Sequence, residues 1–367
     1  MAGITSIIAG VHWDVSWHMS IGRDSFWTPA HLAIYLGGIL GGLFAAASIL
    51  PTTFGRGPRA LARRRVSVRI WGFRGPLGAF VCAWGGIAML TSAPFDNWWH
   101  NAYGLDVKIL SPPHVLLLLG MLAVESGALL SILQWRAHSA KPSGGRPDWL
   151  LFYAGGVMLG NILLGLDEYA QTIIMHSALP YEVFSAALPL LLLALGCASG
   201  RRWGATAMAG MYMLCRLAQH WILPLFPAEP KLGPVFQHIT HFIPMNFPLL
   251  IFVPAVVLDL LRARRNGPSN RWFRAALMGA GFLAALVAAQ WPLASFLMTP
   301  AARNRFFGAH YLPYQFQLPD PDFPYRFQVL DKSRAEFWIG MAVALCLAIF
   351  SARMGLGLGG RLARLRR

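Results

Sequence analysis

The chain has 367 residues, 56% of them hydrophobic and only 13% charged, about half the charge that a soluble globule carries. Its net charge of +16 does not mark a nucleic-acid surface, because Arg and Lys concentrate in short linkers between apolar runs, as the positive-inside rule predicts. The composition implies an all-α fold, a polytopic transmembrane helix bundle lying in a lipid bilayer.

The first informative stretch, DVSWHMSIGRDSFWTPAH from Asp14 to His31, offers three metal-ligand types at spacings of 4 and 13. Asp14 and His18 fall one turn apart on one helix face. Thr28 and Pro29 suit the start of a new helix, which His31 opens. The pattern returns at Asp96, His100 and His114 in DNWWHNAYGLDVKILSPPH. In each copy a second Asp, Asp24 or Asp106, lies six residues past the first His, a Gly precedes that Asp by two, and Trp17 or Trp99 precedes the His. We read an internal repeat of a metal-site module. Asp24 and Asp106 suit the role of carboxylates that orient a ligating imidazole.

Nine spans are expected, at about 28–50, 76–94, 113–135, 149–166, 182–199, 204–226, 243–261, 273–298 and 336–355. Basic linkers such as Arg56 to Arg69, Arg201–Arg202 and Arg262 to Arg271 then share one side with the terminal arginines. This places the N-terminus outside and the C-terminus in the cytoplasm of a bacterial-type inner membrane, with the site on the periplasmic face. Ten of the eleven histidines, all but His138, fall at or near outer ends of spans. No signal peptide is expected at the start. The four cysteines lie in apolar runs without a Cys-x-x-Cys pair, which suits small buried hydrophobes.

Further polar residues sit near that outer side. His238 and His241 form an H-x2-H pair that, with Asp167, Glu168 and His176, suits the polar lining of a cavity, a further site, or ligands lent to the first two modules. Arg216 and His220 share a face, and Arg216 and Glu125 are the clearest ionisable groups within the membrane, where such residues pair or line a pathway. Glu125 lies 11 residues beyond His114, so a polar path for protons or a quinol reductant is expected to lead from the metal region into the bilayer. Residues 299–335, rich in aromatics and proline, are expected to form an ordered outer cap.

Imidazole plus carboxylate suits copper, with zinc or iron less favoured, and two His with one carboxylate leave coordination positions open for chemistry. The run carrying Asp14, Trp17, His18, Met19, Arg23, Asp24, Thr28, Pro29 and His31 resembles the C subunit of the copper membrane monooxygenases, the particulate methane and ammonia monooxygenase family. The resemblance covers roughly residues 14–135 and implies a C-subunit-like region, 1–140, followed by additional helices, 141–367. It implies copper at Asp14, His18 and His31 as the catalytic site, with His100 and His114 matching a neighbouring copper site. The methane-type enzymes usually place Asn where this chain has Asp96. The implied activity is oxygen insertion into a small apolar substrate, such as a short hydrocarbon or ammonia. Quinol as reductant, further monooxygenase subunits and a homo-trimer are implied likewise.

The other reading weighed is a non-catalytic copper-binding or copper-transfer membrane protein. Haem and membrane di-iron proteins fit less well, since neither facing mid-bilayer His pairs nor H-x3-H and H-x2-H-H boxes occur.

Overall fold

The computed structural model describes residues 1–22, 26–103, 111–138, 148–231, 239–263, 270–311 and 325–364. These are almost wholly helical and cluster into two compact units, Met1–Val15 with Asp24–Gly165, and Ser16–Arg23 with Leu166–Arg367.

The first unit is built from α1 (Ala2–Ser20, whose last turn belongs to the second unit), α2 (Pro29–Phe54), α3 (Pro58–Arg65), α4 (Leu77–Tyr103), α5 (Pro112–His138) and α6 (Asp148–Leu164). A short antiparallel hairpin, β1 (Val68–Ile70) with β2 (Phe73–Gly75), sits in the basic linker before α4. The starts of α2 and α5 follow the sequence logic. Thr28 caps α2 in an extended conformation, its Oγ1 accepting the His31 N–H at 3.3 Å, and Pro29 occupies the first turn.

Antiparallel α4 and α5 approach closely because both carry glycine at the crossing. A Cβ on Gly85 would meet the Gly120 carbonyl oxygen and the Val124 nitrogen at 2.7 Å each, and a Cβ on Gly120 would meet the Met89 nitrogen at 2.9 Å. Small residues are the usual means by which helices in lipid come together, since apolar burial alone does not drive them there. α2 lies along α4 in the opposite sense, with Gly38 at Met89 and Ile49 at Gly75. This unit therefore has a basic end, with Arg56 to Arg74, and an opposite end where α4 finishes and α2 and α5 begin.

The second unit contains α7 (Ala178–Ser199), α8 (Gly204–Ile222), α9 (Phe252–Ala263), α10 (Arg271–Leu297) and α11 (Arg334–Arg364). α11 runs parallel to α7, with Gly340 against Ala178 and Gly359 against Cys197. Arg262 ties the basic ends together, donating to the carbonyls of Gly196, Arg201 and Arg202 and pairing with Asp259 at 2.9 Å. The last turn of α1 also belongs here. Ser16 Oγ donates to the Ile243 carbonyl at 2.6 Å, and Ser20 Oγ accepts the Ile243 N–H at 2.7 Å. Gly22, at φ 94°, ends that helix in a conformation that costs glycine nothing, its N–H reaching the Trp17 carbonyl at 3.3 Å.

Six helices, α2, α4, α5, α7, α10 and α11, are long and apolar enough to cross a membrane. Along α2 the outward side chains Leu32, Leu36, Ile39, Leu43 and Leu50 are exposed in the protein, as lipid contact requires. Three of the nine expected spans differ. The α6 helix has only 17 residues, α8 has 19 and is not among the six, and the expected span over 243–261 becomes helical only at Phe252. Pro244 and Pro248 explain the last difference, because neither can donate a helical hydrogen bond. The sequence reading also passed over α1, whose apolar residues Ile4, Ile7, Ile8 and Val11 are buried. The expected cap at 299–335 is described at its two ends, where Ala302 and Ala309 pack with Leu297 and Ile173. Its middle lies outside the described residues.

Candidate metal centre

The end of α4 and the start of α5 carry the second sequence module. Asp96 and His100 are one turn apart on α4, and His114 stands in the first turn of α5 after Ser111, Pro112 and Pro113. Because the two helices are antiparallel neighbours, a spacing of 4 and then 14 in sequence becomes a single cluster. His100 Nε2 lies 3.3 Å from Asp96 Oδ2, and His114 Nε2 lies 3.4 Å from Asp96 Oδ1. Among the described residues, these three form the one set of His, Cys, Asp or Glu ligand atoms lying within 4.8 Å of one another.

Two accounts of the cluster meet at those separations, a hydrogen-bonded helix junction and a set of ligands around one ion. A direct hydrogen bond to an ionised partner closes to about 2.7–2.9 Å. Ligand atoms at about 2.1 Å from one tetrahedral ion stand about 3.4 Å apart. The observed 3.3 and 3.4 Å are longer than the first and run to different oxygens of Asp96, so the carboxylate bridges the two imidazoles. The side chains of Asp96, His100 and His114 are 23%, 24% and 38% exposed, so an ion can enter and keep a free coordination position. An aromatic group borders the ligands on the same helix end. Trp99 packs on Tyr103 at 4.5 Å between ring centres, and Phe95 stacks on Trp98 at 6.0 Å.

The first module is assembled in part. Asp14 Oδ1 and His31 Nε2 meet at 3.3 Å, both about four-fifths buried. His18 lies one turn beyond Asp14 on α1. Gly38 of α2 packs at Met89 of α4, and from those points the chain climbs the same way to His31 and to Asp96. Asp14 and His31 therefore share the end of the first unit that holds the three-ligand cluster. The carboxylates expected behind the imidazoles, Asp24 and Asp106, lie outside the described residues.

No family model, curated protein or solved structure matches the chain.

The remaining polar residues separate into distinct pairings. Arg216 is 8% exposed. It donates from Nη2 to Asp167 Oδ1 at 3.2 Å and to the Asn246 carbonyl at 3.4 Å, and from Nη1 to Met245 Sδ at 2.6 Å. Burial pushes the Asp167 carboxyl above the usual carboxylate range, and the Arg216 guanidinium pulls against that. His220 Nδ1 lies 3.0 Å from the Met245 carbonyl oxygen, and His241 Nε2 lies 3.2 Å from Tyr311 Oη. His176 is stacked between Trp291 and Phe327, at 4.1 and 3.7 Å between ring centres. Glu168 is exposed, and His238 lies outside the described residues. Asp167, Glu168, His176 and His241 thus do not converge on a further metal site. Replacing Arg216 by Ala leaves Asp167 unpaired, an expected loss of about 3 kcal/mol. Thermal unfolding in detergent measures it, and Arg216→Lys is expected to recover only part of the loss because it lacks the guanidinium fork.

The expected polar path from His114 to Glu125 takes a different form. Residues Val115 to Val124, which separate them on α5, are all apolar. Glu125 is joined instead to Asn161 of α6, which donates from Nδ2 to Glu125 Oε1. Sequence reasoning missed Asn161 because a lone amide in an apolar run has no spacing pattern to reveal it.

Proposed function

We propose that the protein is a copper-dependent integral membrane monooxygenase, or a subunit of one, that uses O2 to hydroxylate a small apolar substrate such as a short hydrocarbon or ammonia. The observation that carries this reading is the Asp96, His100 and His114 cluster, two imidazoles and one carboxylate whose ligand atoms lie within 4.8 Å of one another. Its counterpart is the Asp14 and His31 pair, with His18 on the adjoining turn. The sequence resemblance supplies the choice of copper and of oxygen chemistry.

Copper bound at such a site supplies one-electron redox chemistry towards O2. The imidazoles of His100 and His114 and the carboxylate of Asp96 would hold the ion, and the anionic carboxylate would favour a cation strongly. The aromatic group of Phe95, Trp98, Trp99 and Tyr103 gives the site an apolar border, suited to a substrate that arrives through lipid. A hydroxylation of this class consumes O2, two electrons and two protons for each oxygen inserted, with water as the second product. A quinol in the bilayer fits as donor of those electrons and protons. The basic ends of both units support an orientation in which the metal-bearing end faces the periplasm.

The test is copper content and copper EPR of the purified, copper-supplemented protein, followed by oxygenation of short hydrocarbons and ammonia with a quinol donor. Copper bound with no O2-dependent product would favour the copper-transfer reading. Absence of copper from a folded preparation would defeat both.

A further inference from the structure

Glu125 is fully buried in the first unit and lies on one of the membrane-crossing helices. Its Oε1 accepts from the Asn161 amide, while Glu125 Oε2 and Asn161 Oδ1 have no partner among the described residues. Two neighbouring acceptors without a donor between them is a costly arrangement in an apolar interior.

Among the described residues, no Lys or Arg resolves it. The helices that pack around α5 and α6, namely α1, α2 and α4, contain no Lys or Arg, and neither does α6 itself. Their titratable side chains are His12, Asp14 and His18 on α1, His31 and Tyr35 on α2, Cys82, Asp96, His100 and Tyr103 on α4, and Asp148 and Tyr153 on α6. Of these, Cys82 stands at the level of Glu125, its thiol donating to the Val124 carbonyl at 3.5 Å. On α5 itself His114 stands 11 residues before Glu125, and Arg136, already paired with Asp148 at 3.0 Å, lies 11 residues beyond. Each is about 16 Å away along the helix. A single proton resolves everything. Placed on Glu125 Oε2, it can be donated to Asn161 Oδ1, closing a two-bond acid–amide pair in which no acceptor is left over.

We propose that Glu125 and Asn161 form a proton-binding site inside the first unit, with Glu125 held as a neutral acid at neutral pH by the Asn161 amide. The site is separate from the metal cluster, from which ten consecutive apolar residues, Val115 to Val124, divide it. It does not depend on the copper reading. Removing the proton leaves a bare charge between α5 and α6, so alkaline pH is expected to loosen the packing of those two helices.

Infrared difference spectroscopy on the full-length protein in lipid vesicles tests this. The expected result is a protonated carboxyl C=O band at neutral pH that shifts in D2O and vanishes in Glu125→Gln. In Asn161→Leu, which keeps the acid and removes its partner, that band is expected to move to higher frequency. A second readout is thermal stability against pH, where the wild type is expected to lose stability relative to Glu125→Gln as pH rises from the ordinary carboxylate range through neutrality, because the folded state keeps a proton that the unfolded chain gives up. Loss of carboxylate rather than acid bands in Glu125→Gln would overturn the proposal, as would an acid band indifferent to Asn161→Leu. Carboxylate bands that respond to replacing sodium by choline would overturn it too, in favour of a bound cation. Should Glu125→Gln fail to fold, Asn161→Leu decides the matter alone.

Discussion

Replacing His100 by Ala is expected to abolish stoichiometric metal binding at the junction of α4 and α5. His100 supplies one of only three ligand atoms there, Nε2 at 3.3 Å from Asp96 Oδ2. Loss of a residue that merely supports a ligand weakens metal affinity about 10–100-fold. Loss of a ligand itself is expected to exceed 100-fold. Asp96→Asn is expected to fall between the two, because the amide keeps one oxygen near one imidazole but gives up the negative charge and the second oxygen. Copper titration monitored by EPR, with circular dichroism to show that the helices persist, separates these outcomes. Retention of wild-type copper in both variants would show that the cluster is a hydrogen-bonded helix junction and nothing more. His18→Ala, measured alongside, reports on the Asp14 and His31 pair independently.

A comparable loss is expected from a residue that touches no ligand. Gly85→Leu places a side chain where a Cβ alone would stand 2.7 Å from backbone atoms of Gly120 and Val124. Backbone cannot rotate out of the way, so α4 and α5 must part. Overpacking of this kind costs about 1–3 kcal/mol. Its functional effect is expected to be larger than its effect on stability, since the cluster spans these same two helices and tolerates little displacement. Gly85→Leu protein that retains its helices but has lost copper, about 16 Å from the substitution, is the predicted result. Unchanged copper binding would mean that α5 can shift without carrying His114 away.

Much of this was legible in the sequence for simple physical reasons. An apolar run of over 20 residues has few folds open to it in lipid, so six spans came out as helices. Thr28-Pro29 and Ser111-Pro112 announced two helix starts, and a ligand placed just after a start lands beside one placed just before the preceding helix ends. Asp96, His100 and His114 converge for that reason, and antiparallel neighbours in sequence order need no long-range information. What escaped was either weak in pattern or long in range. The α1 helix mixes Trp, His and Asp into its second half, which lowers its hydropathy below that of a span although its first half packs closely on α2. The stretch before α9 is apolar enough for a span but is broken by Pro244 and Pro248. Asp167 and Arg216, like Glu125 and Asn161, meet from separate elements, and nothing in a single sequence links them.

The parallel seating of α11 on α7 bears on the order in which the protein is made. Helices α2, α4, α5 and α6 contact their neighbours in chain order, so the first unit can associate while later spans are still being synthesised. α7 must wait for more than a hundred further residues before α11 arrives to cover it. Until then the face of α7 that receives Gly340, Gly355 and Gly359 of α11 is uncovered. Completion of the second unit is therefore the stage that depends on long-range contact, and a stalled or prematurely ended chain would leave the first unit formed and the second unfinished.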